Sequence, residues 1–368
     1  MRYYLIAGEA SGDLHGAHLI QALKTLDSEA VIRFWGGDDM THEAGCEPVR
    51  HIRHLAIMGF VEVVAHLGTV LGNIDFCKQD ILDFNPDVVV GIDYPGFNLK
   101  IESWAHRHGF RTAHYISPNL WAWKKGRIRN MKKSLDLLCY ILPFEKKFFS
   151  SQRMEQAVYV GHPLLDAVKG DNLQMAIRRP LPVVALLPGS RRQEIKSNLP
   201  LMVRLAVAHP EFQFIVAGMS LLGKELYQSL IPSESNIEVV FDQTYPLLAN
   251  AHAAVVCSGT ATLETALFNV PQVVCYRANP ISIAIAKCIV SRRIRYISLV
   301  NLIADKPIVT ELIQEDFNPS RLEQEFSLIA ADQSTRIRMF NQYAEMRKLL
   351  GDGGASLRTA QAILNILQ

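Results

Sequence analysis

The sequence predicts an α/β fold made of two doubly wound, parallel-sheet domains, and three observations carry this prediction. Its 368 residues are about twice the usual size of a domain. Short β-branched runs alternate with helix-length segments along most of the chain. Most of these runs are continuously apolar, which is typical of strands covered by helices on both faces of a parallel sheet.

The first domain is predicted to span residues 1–168, with residues 351–368 packing back on it. The helix Asp13–Leu26 follows its first strand. The periodic pattern lapses between residues 166 and 181, so we place the boundary there. The strands predicted in this domain are Arg2–Ala7, Val31–Gly36, Asp87–Asp93, Arg111–Ser117, Leu137–Ile141 and Ala157–Gly161.

The second domain is predicted to span residues 169–350, with helices that include Leu201–Ala208 and Thr260–Phe268. Its predicted strands are Pro182–Leu187, Phe212–Gly218, Ile237–Phe241, Ala253–Cys257, Gln272–Tyr276 and Ile297–Val300. The helical patterns that end the chain are Pro319–Ala331, Ser334–Leu350 and Ala355–Leu367. Residues 351–354 form a hinge that would return the last helix to the first domain.

Composition narrows the classes of function. The 38 basic and 36 acidic residues give a formal charge of +2, so no nucleic-acid partner is expected. Six scattered cysteines without a CxxC pair indicate buried free thiols in a reducing cytosol rather than a zinc site or disulfides. Every long apolar run is interrupted by charge, so we expect no membrane-spanning segment.

The loops at the carboxyl ends of the strands are the candidate sites, because ligands of doubly wound sheets bind there. The first is the segment GEASGD (8–13). Its glycines would let backbone N–H groups approach an anionic or sugar ligand at a helix N-terminus. The alternative is that Ser11 or Asp13 only caps the helix. The candidate substrate-binding residues of this loop are Gly8, Glu9, Ser11 and Gly12.

Asp93 ends the apolar run DVVVGID (87–93) and precedes Tyr94-Pro95-Gly96. A carboxylate at the end of a buried strand is partly desolvated, which raises its pKa and suits it to act as a general base. The alternative is an Asp that only caps the loop by bonding to nearby backbone.

The segment HYISPNLWAWKKGRIR (114–129) combines aromatic and basic side chains. Such a mixture suits a membrane–water interface, an anionic lipid head group or a single-stranded nucleic acid. A basic helix start with solvated charges is the alternative, and residues 281–296 have a similar character. The candidate lipid contacts are Trp121, Trp123, Lys124, Lys125, Arg127 and Arg129.

Two loops of the second domain resemble anion sites. In LPGSRR (187–192), a glycine permits close approach and Arg191 can fork onto a phosphate at an electropositive helix N-terminus. The segment CSGTATLE (257–264) repeats this arrangement, and Glu264 could accept both hydroxyls of a ribose or merely interact with Thr260 as a cap. The candidate substrate-binding residues here are Gly189, Ser190, Arg191, Ser258, Gly259, Thr260, Glu264, Tyr276 and Arg277.

Taken together, these motifs resemble the lipid-A-disaccharide synthase family of GT-B glycosyltransferases, in family order over nearly the whole chain. The resemblance implies a GT-B fold with two domains facing a cleft, the first for the lipid acceptor and the second for the UDP-sugar. The matching stretches are GEASGDLHGA (8–17), LAIMGFVEV (55–63), GIDYPGFN (91–98), HYISPNLWAW (114–123), LPFEKKFF (142–149), GHPLLD (161–166), LLPGSRRQEI (186–195), SGTATLE (258–264) and VNLIAD (300–305).

The resemblance also implies a reaction. The donor would be UDP-2,3-diacylglucosamine and the acceptor 2,3-diacylglucosamine 1-phosphate. Inverting transfer would give a β-1,6-linked disaccharide and UDP, without a metal or another cofactor. The enzyme would be cytoplasmic, peripheral on the inner face of the cytoplasmic membrane and in contact with the bilayer surface; a homodimer is left open.

Carried over residue by residue, the resemblance makes Asp93 the base for the acceptor hydroxyl. Arg191 would meet the UDP phosphates, Glu264 the ribose, and Asn301 a polar group in the cleft. Two positions depart from the family's commonest form. Gly96 stands where a second Asp often follows the proline, and His15 stands where a small or aliphatic residue is frequent. The first departure strengthens Asp93, and the second leaves the role of His15 open.

Two other classes remain as alternatives. One is another GT-B enzyme acting on a UDP-sugar, either an epimerase or a transferase with a different acceptor. The other is a non-catalytic protein that binds a nucleotide sugar. The segment around Trp121 and Trp123 favours a lipid acceptor over these alternatives.

Overall fold

A computed structural model describes residues 1–55, 67–118, 120, 126–168, 180–233, 235–277 and 295–368. The chain divides into two compact units, residues 1–166 with 352–368 and residues 167–351. Each unit has its own sheet, and every strand pair in both sheets is parallel. The prediction of an α/β fold with two parallel sheets is confirmed.

The first unit has a seven-stranded sheet in the order β3-β2-β1-β4-β5-β6-β7. Its buried strands are rich in β-branched and aromatic residues, as a sheet covered on both faces requires. The strands are β1 (Arg2–Ala7), β2 (Val31–Gly36), β3 (Arg50–His51), β4 (Val88–Ile92), β5 (Arg111–Tyr115), β6 (Leu137–Tyr140) and β7 (Ala157–Tyr159). The helices are α1 (Ala10–Leu26), α2 (Asp38–Ala44), α3 (Leu67–Phe84), α4 (Pro95–Arg107), α5 (Arg127–Ser134), α6 (Glu145–Ser151) and α7 (Leu164–Ala167).

The second unit has a six-stranded sheet in the order β10-β9-β8-β11-β12-β13. Its strands are β8 (Val183–Leu187), β9 (Gln213–Gly218), β10 (Glu238–Phe241), β11 (Ala251–Cys257), β12 (Gln272–Tyr276) and β13 (Thr310–Ile313). The helices that follow are α8 (Arg192–Ala208), α9 (Lys224–Gln228), α10 (Thr244–Ala249), α11 (Thr260–Leu267), α12 (Leu299–Ala304), α13 (Pro319–Ala331), α14 (Gln333–Leu350) and α15 (Ala355–Asn365).

The helix α15 belongs to the first unit, where it packs on α1. The Arg358 guanidinium donates to the Val160 carbonyl at 2.7 Å. The Asp166 carboxylate accepts from the backbone N–H groups of Gly354 and Ser356 and so caps the start of α15. The expected return of the last helix to the first domain is confirmed.

Both sheets reverse their strand order at one point, between β1 and β4 in the first unit and between β8 and β11 in the second. The register pairs Ala7 with Ile92 and Leu187 with Val256. These pairings bring the ends of the two strands together at each reversal, which is where doubly wound sheets bind ligands.

One predicted strand is wrong. Residues 297–300 do not pair with the sheet; Ser298 caps α12, and its hydroxyl accepts from the Asn301 N–H. The sixth strand is Thr310–Ile313, which had no predicted element. A short apolar run does not distinguish a strand from a buried helix start.

Two helices begin several residues earlier than predicted. Helix α8 begins at Arg192 and contains Pro200 in its interior, whereas the sequence had placed its start next to that proline. Helix α1 begins at Ala10, so Ser11 and Gly12 lie in its first turn rather than in a loop. The five described cysteines are free thiols, four of them buried and Cys46 exposed.

Candidate active site

The site in the first unit begins where the loops after β1 and β4 touch. Gly8 faces the ring of Tyr94 so closely that any side chain at position 8 would collide with it. Burial raises the pKa of the Tyr94 hydroxyl, and the charge of Glu9 raises it further. A Cβ at Gly12 would lie 3.4 Å from that of Ala7 and 3.7 Å from the Ile92 carbonyl oxygen, both ordinary van der Waals distances, so the first turn of α1 packs directly against both strand ends.

Asp93 lies half-buried at the end of β4 with a left-handed backbone, φ 47°, and Tyr94 follows at φ 49°. Two consecutive residues other than glycine in this region are costly, on the order of 1–3 kcal/mol each. The Asp93 N–H donates to the Tyr115 carbonyl at 2.8 Å. Such strain persists only where the surroundings impose it, and it often marks a functional position.

The surroundings include Asn98, whose fully buried side chain holds the ends of β1 and β4. Its Nδ2 lies 2.8 Å from the Asp93 carbonyl, 3.1 Å from the Ile6 carbonyl and 3.3 Å from the Ile92 carbonyl. Asn98 was not singled out from the sequence. An Asn three residues into a helix has no distinguishing pattern until the strand ends are placed beside it.

Asp13 of the first loop does cap a helix, as the alternative interpretation of this loop suggested, but the helix that it caps is α2. Its buried carboxylate accepts from the N–H groups of Gly37, Asp39 and Met40 at 2.6, 3.1 and 3.2 Å. It therefore holds the start of α2 rather than the start of its own helix. Burial raises the pKa of Asp13, although these three bonds oppose the rise.

His15, whose role the sequence leaves open, is a buried residue of α1. Burial lowers its pKa to about 4, and the neighbouring charge of His18 contributes. The pKa of His162, in the GHPLLD motif, falls to about 3, first through burial and then through His15. Both imidazoles are therefore neutral at pH 7, and His15 is buried on α1 near His162.

In the second unit, the loop after β8 has backbone N–H groups that could bind an anion. A carboxylate of the protein itself accepts hydrogen bonds from two of them. Gly189 has φ 123°, a conformation that favours glycine. The Glu194 carboxylate accepts from the N–H groups of Ser190 and Arg191 at 3.0 and 3.2 Å, as in a capping box. The Arg191 guanidinium lies 3.4 Å from Glu194 and is 55% exposed, so it remains accessible to an anion.

A buried amide also ties the strand ends of this unit together. Nδ2 of Asn198 lies 3.0 Å from the Pro188 carbonyl and 3.2 Å from Sγ of Cys257. Burial raises the pKa of Tyr276, and the charge of Glu194 raises it further while that of Arg191 opposes the rise. The ends of β8, β11 and β12 therefore lie close together, and Arg191 and Tyr276 lie near enough for the charge of one to affect the pKa of the other.

The loop after β11 leaves space for a ligand at the start of α11. Gly259 and Thr260 are exposed, and a Cβ at Gly259 would meet no described atom within 4 Å. Ser258 donates to the Ile297 carbonyl at 3.1 Å. Glu264, one turn into the helix, accepts from the Tyr245 hydroxyl at 3.2 Å, and burial raises its pKa to about 7.

Two other candidates of this unit use their polar groups within the protein. Nδ2 of Asn301 donates to the Val309 carbonyl and to Glu311, and its Oδ1 accepts from the N–H groups of Ile308 and Val309. The Arg277 guanidinium donates to the Phe317 carbonyl and lies over the ring of that residue. The amide of Asn301 is therefore buried and fully used within the protein, whereas the printed bonds of Arg277 involve one of its guanidinium nitrogens.

The proposed lipid-contact segment is only partly described. Trp121, Trp123, Lys124 and Lys125 lie outside the described residues, as do residues 281–294. Arg127 and Arg129 begin α5, where Arg129 is exposed. In the described part of the chain no helix combines the length and hydropathy that crossing a bilayer requires, and no group of three or more His, Cys, Asp or Glu side chains there could hold a metal ion.

Two doubly wound units, each with polar loops at its strand-order reversal, place the chain in the GT-B class. Solved structures of similar fold support this. The UDP-GlcNAc 2-epimerase of Neisseria meningitidis, bound to UDP-GlcNAc, matches with a TM-score of 0.70 and 15% identity over 99% of this chain and all of that one. The calicheamicin glycosyltransferase CalG4 matches with a TM-score of 0.61 and 17% identity over 100% of this chain and 98% of that one. At these identities the likeness shows the fold alone.

The chain belongs to the lipid-A-disaccharide synthase family. The family model described as lipid-A-disaccharide synthetase matches residues 3–366. Lipid-A-disaccharide synthase of Coxiella burnetii (strain CbuG_Q212) is 35% identical over 99% of this chain and 98% of its own. Those of Geobacter sulfurreducens and Alcanivorax borkumensis are 34% and 36% identical over 100% and 99% of this chain and 97% of theirs. The protein is a glycosyltransferase of lipid A disaccharide synthesis, as the resemblance implied.

Proposed function

We propose that the enzyme transfers 2,3-diacylglucosamine from UDP to the 6-hydroxyl of 2,3-diacylglucosamine 1-phosphate with inversion, forming a β-1,6 linkage and releasing UDP. The strained, half-buried Asp93 carries this proposal. Its backbone is held left-handed by Asn98 at the end of β4, where the loop after β1 touches it. A carboxylate fixed at a ligand-binding strand end is suited to accept a proton.

The transfer is a single displacement. Asp93 takes the hydroxyl proton while the acceptor oxygen bonds to the anomeric carbon, and the bond from that carbon to the UDP oxygen breaks. The electron pair stays on the diphosphate, and Arg191 and the helix N-termini of the second unit stabilise that growing charge. The first unit thus supplies the base, and the second unit supplies the UDP site.

The assignment of UDP to the second unit is supported by its converging loops. The guanidinium of Arg191 is exposed beside a glycine turn, and α11 starts at an open, exposed Gly259. Glu264 lies one turn into that helix, and its carboxylate could accept hydrogen bonds from the hydroxyls of a ribose. The epimerase of similar fold that is bound to UDP-GlcNAc supports a nucleotide-sugar donor for this chain.

Incubation with synthetic donor and acceptor tests the proposal. Mass analysis should show a tetra-acylated disaccharide monophosphate, and UDP should be released in equal amount and only when both substrates are present. Proton NMR of the product should show a β anomeric linkage to C6. UDP release without acceptor, or isomerisation of the donor sugar, would instead indicate a hydrolase or an epimerase.

The affinity for UDP should depend on the ionisation of Glu264. Its pKa is raised to about 7 by burial, and the carboxylate form accepts hydroxyl hydrogen bonds better. We therefore expect the affinity to be full above pH 7 and to fall by up to about tenfold per unit below it, since one pKa unit is 1.36 kcal/mol. Isothermal titration between pH 5.5 and 8.5 measures this dependence.

Two variants distinguish the pH dependence that comes from Glu264 from the pH dependence that comes from ionisation of UDP itself. Glu264→Gln should bind more weakly at pH 8 and retain only the pH dependence that the nucleotide brings. Tyr245→Phe removes a hydrogen bond that lowers the pKa of Glu264, so its transition should move to higher pH. Identical profiles for the three proteins would place the ribose elsewhere.

We also propose that the basic segment ending in Arg127 and Arg129 holds the enzyme reversibly on the cytoplasmic face of the inner membrane, where its acylated substrates lie. Each basic residue near an anionic surface contributes about 1 kcal/mol, and this attraction is screened over roughly a Debye length. Wild-type protein should therefore co-sediment with phosphatidylglycerol vesicles at low salt and dissociate at high salt. Changing Lys124, Lys125, Arg127 and Arg129 to Ser should abolish the binding.

A charge-matched control distinguishes a defined contact from a general effect of net charge. Changing the exposed residues Lys196, Arg204, Arg338 and Lys348 of the second unit to Ser removes the same charge and should leave vesicle binding unchanged. Equal binding of the two quadruple variants would contradict the assignment and direct attention to residues 281–296.

A further inference from the structure

Two fully buried ionisable side chains lie next to the Asp93 loop, and no sequence motif singled them out together. Glu102 projects from α4 and His114 from β5, and both are 0% exposed. His114 Nδ1 lies 2.7 Å from Glu102 Oε1. Glu102 follows Asn98 by four residues on the same helix, and Asn98 bonds the Asp93 carbonyl. One face of α4 thus holds both the pair and the Asp93 backbone.

The strand β4 makes room for this pair. Gly91 is the register partner of His114 and lies two residues before Asp93. Any side chain at position 91 would collide with Oε1 of Glu102. A glycine in a strand that is buried throughout therefore leaves room for a carboxylate, which is costly to bury unless a partner compensates it.

The partner that faces this carboxylate is His114, 2.7 Å away. Burial alone would lower the pKa of this imidazole, but the Glu102 carboxylate and then Asp93 raise it above its ordinary value. Glu102 Oε2, Asn98 Oδ1 and His114 Nε2 have no hydrogen-bond partner among the described residues, so the described side-chain hydrogen bond of the pair is the one between His114 Nδ1 and Glu102 Oε1. The charged groups acting on His114 are Glu102 from α4 and Asp93 from the end of β4.

We infer that Glu102 and His114 are positioning residues for the transfer: their ion pair keeps a positive charge behind Asp93, which holds that carboxylate ionised until it takes the acceptor proton. This inference rests on the proposed role of Asp93. Neither residue of the pair touches the substrate. Glu102 acts by keeping His114 charged, and His114 acts through its field on Asp93.

The pH profile of kcat/KM tests this, because the acid limb reports ionisation of the base in the free enzyme. His114→Gln removes the positive charge directly. Glu102→Gln removes the partner that keeps the buried imidazole protonated. We expect each change to move the acid limb up by about one pH unit, which is a tenfold loss at low pH, with recovery at high pH. The KM for the UDP-sugar should not change.

The double variant gives the sharper result. If both residues act through one charge, Glu102→Gln with His114→Gln should shift the acid limb no further than either single change, whereas independent effects would add. This variant also replaces a buried ion pair by two neutral amides, so it retains a hydrogen-bonded pair if a single variant fails to fold. Glu145→Gln is the matched control. Burial raises the pKa of that carboxyl to about 8, so the change removes no charge at pH 7.

The outcomes are distinguishable from a failure of the proposed function. If Asp93→Asn stays active, Asp93 is not the general base, and Glu102 and His114 have no base to position. If Asp93→Asn is inactive but the acid limb of both single variants coincides with wild type, the inference about the pair is overturned. ¹⁵N NMR of the His114 ring gives a direct reading on the wild-type enzyme: a protonated ring at pH 7 supports the inference, and a neutral one overturns it.

Discussion

Asp93→Asn is expected to fold as the wild type does and to lose about 10²–10⁴-fold in turnover, which is the usual contribution of general-base assistance. The amide keeps the size of the carboxylate but cannot take up the acceptor proton. The backbone bonds of residue 93 to Tyr115 and Asn98 do not involve its carboxylate and should persist. Steady-state UDP release and a thermal melt measure the two properties.

The neighbouring Gly96 offers a matched test of the same idea. It is exposed, and a Cβ there would meet no described atom within 4 Å. Gly96→Asp alone should therefore be tolerated. Combined with Asp93→Asn, it places a carboxylate where the family often has a second one, and partial recovery of turnover would show that a base in this loop is what the reaction needs. Turnover of Asp93→Asn above about a tenth of wild type, too high for loss of an essential base, would make Asp93 a capping residue.

Arg191→Ala should weaken UDP binding and slow turnover by roughly 10²–10³-fold, the range found when one group stabilising transition-state charge is removed. The phosphate charge grows as the sugar leaves, so the loss should appear in kcat as well as in KM. Arg191→Lys should recover only part, because an ammonium cannot fork onto two oxygens. Calorimetric titration with UDP and steady-state kinetics separate the two effects.

Arg192 provides the control, since it is adjacent, equally basic and bonded to the Leu222 carbonyl at 3.0 Å. Arg192→Ala should change UDP affinity far less than Arg191→Ala. If the Arg191 variants retain wild-type affinity and turnover, the diphosphate must be held elsewhere in the second unit.

The parts of the fold that follow from local pattern were predictable. Continuous apolar runs located most strands, and the strand-end rule located the loops of Gly8, Asp93, Gly189 and Gly259. The strand Thr310–Ile313 was not predictable in this way, because it has two polar residues in four and its place depends on pairing with β12.

The side chains that hold the loops in place could not be predicted from the sequence either. Asn98 bonds the Ile6 carbonyl as well as nearby carbonyls, Asn198 bonds Cys257, and Glu102 contacts His114. These partners on other strands appear only when the strands are aligned. Asn301 shows the converse. Its motif suggested a ligand contact, but its amide bonds Val309, Ile308 and Glu311, because a polar motif in a sequence does not reveal which atoms it bonds.

The return of α15 to the first unit has a consequence for synthesis. The first 166 residues leave the ribosome long before residues 355–365, which complete that unit by packing on α1 and by the bond from Arg358 to Val160. Domains otherwise tend to fold in order as they emerge, and the ribosome adds about 5–20 residues per second. Here the amino-terminal domain must wait, with the surface of α1 uncovered, for roughly 10–40 s while the other domain is translated. The nascent chain therefore passes through a stage in which its second domain can be complete and its first cannot.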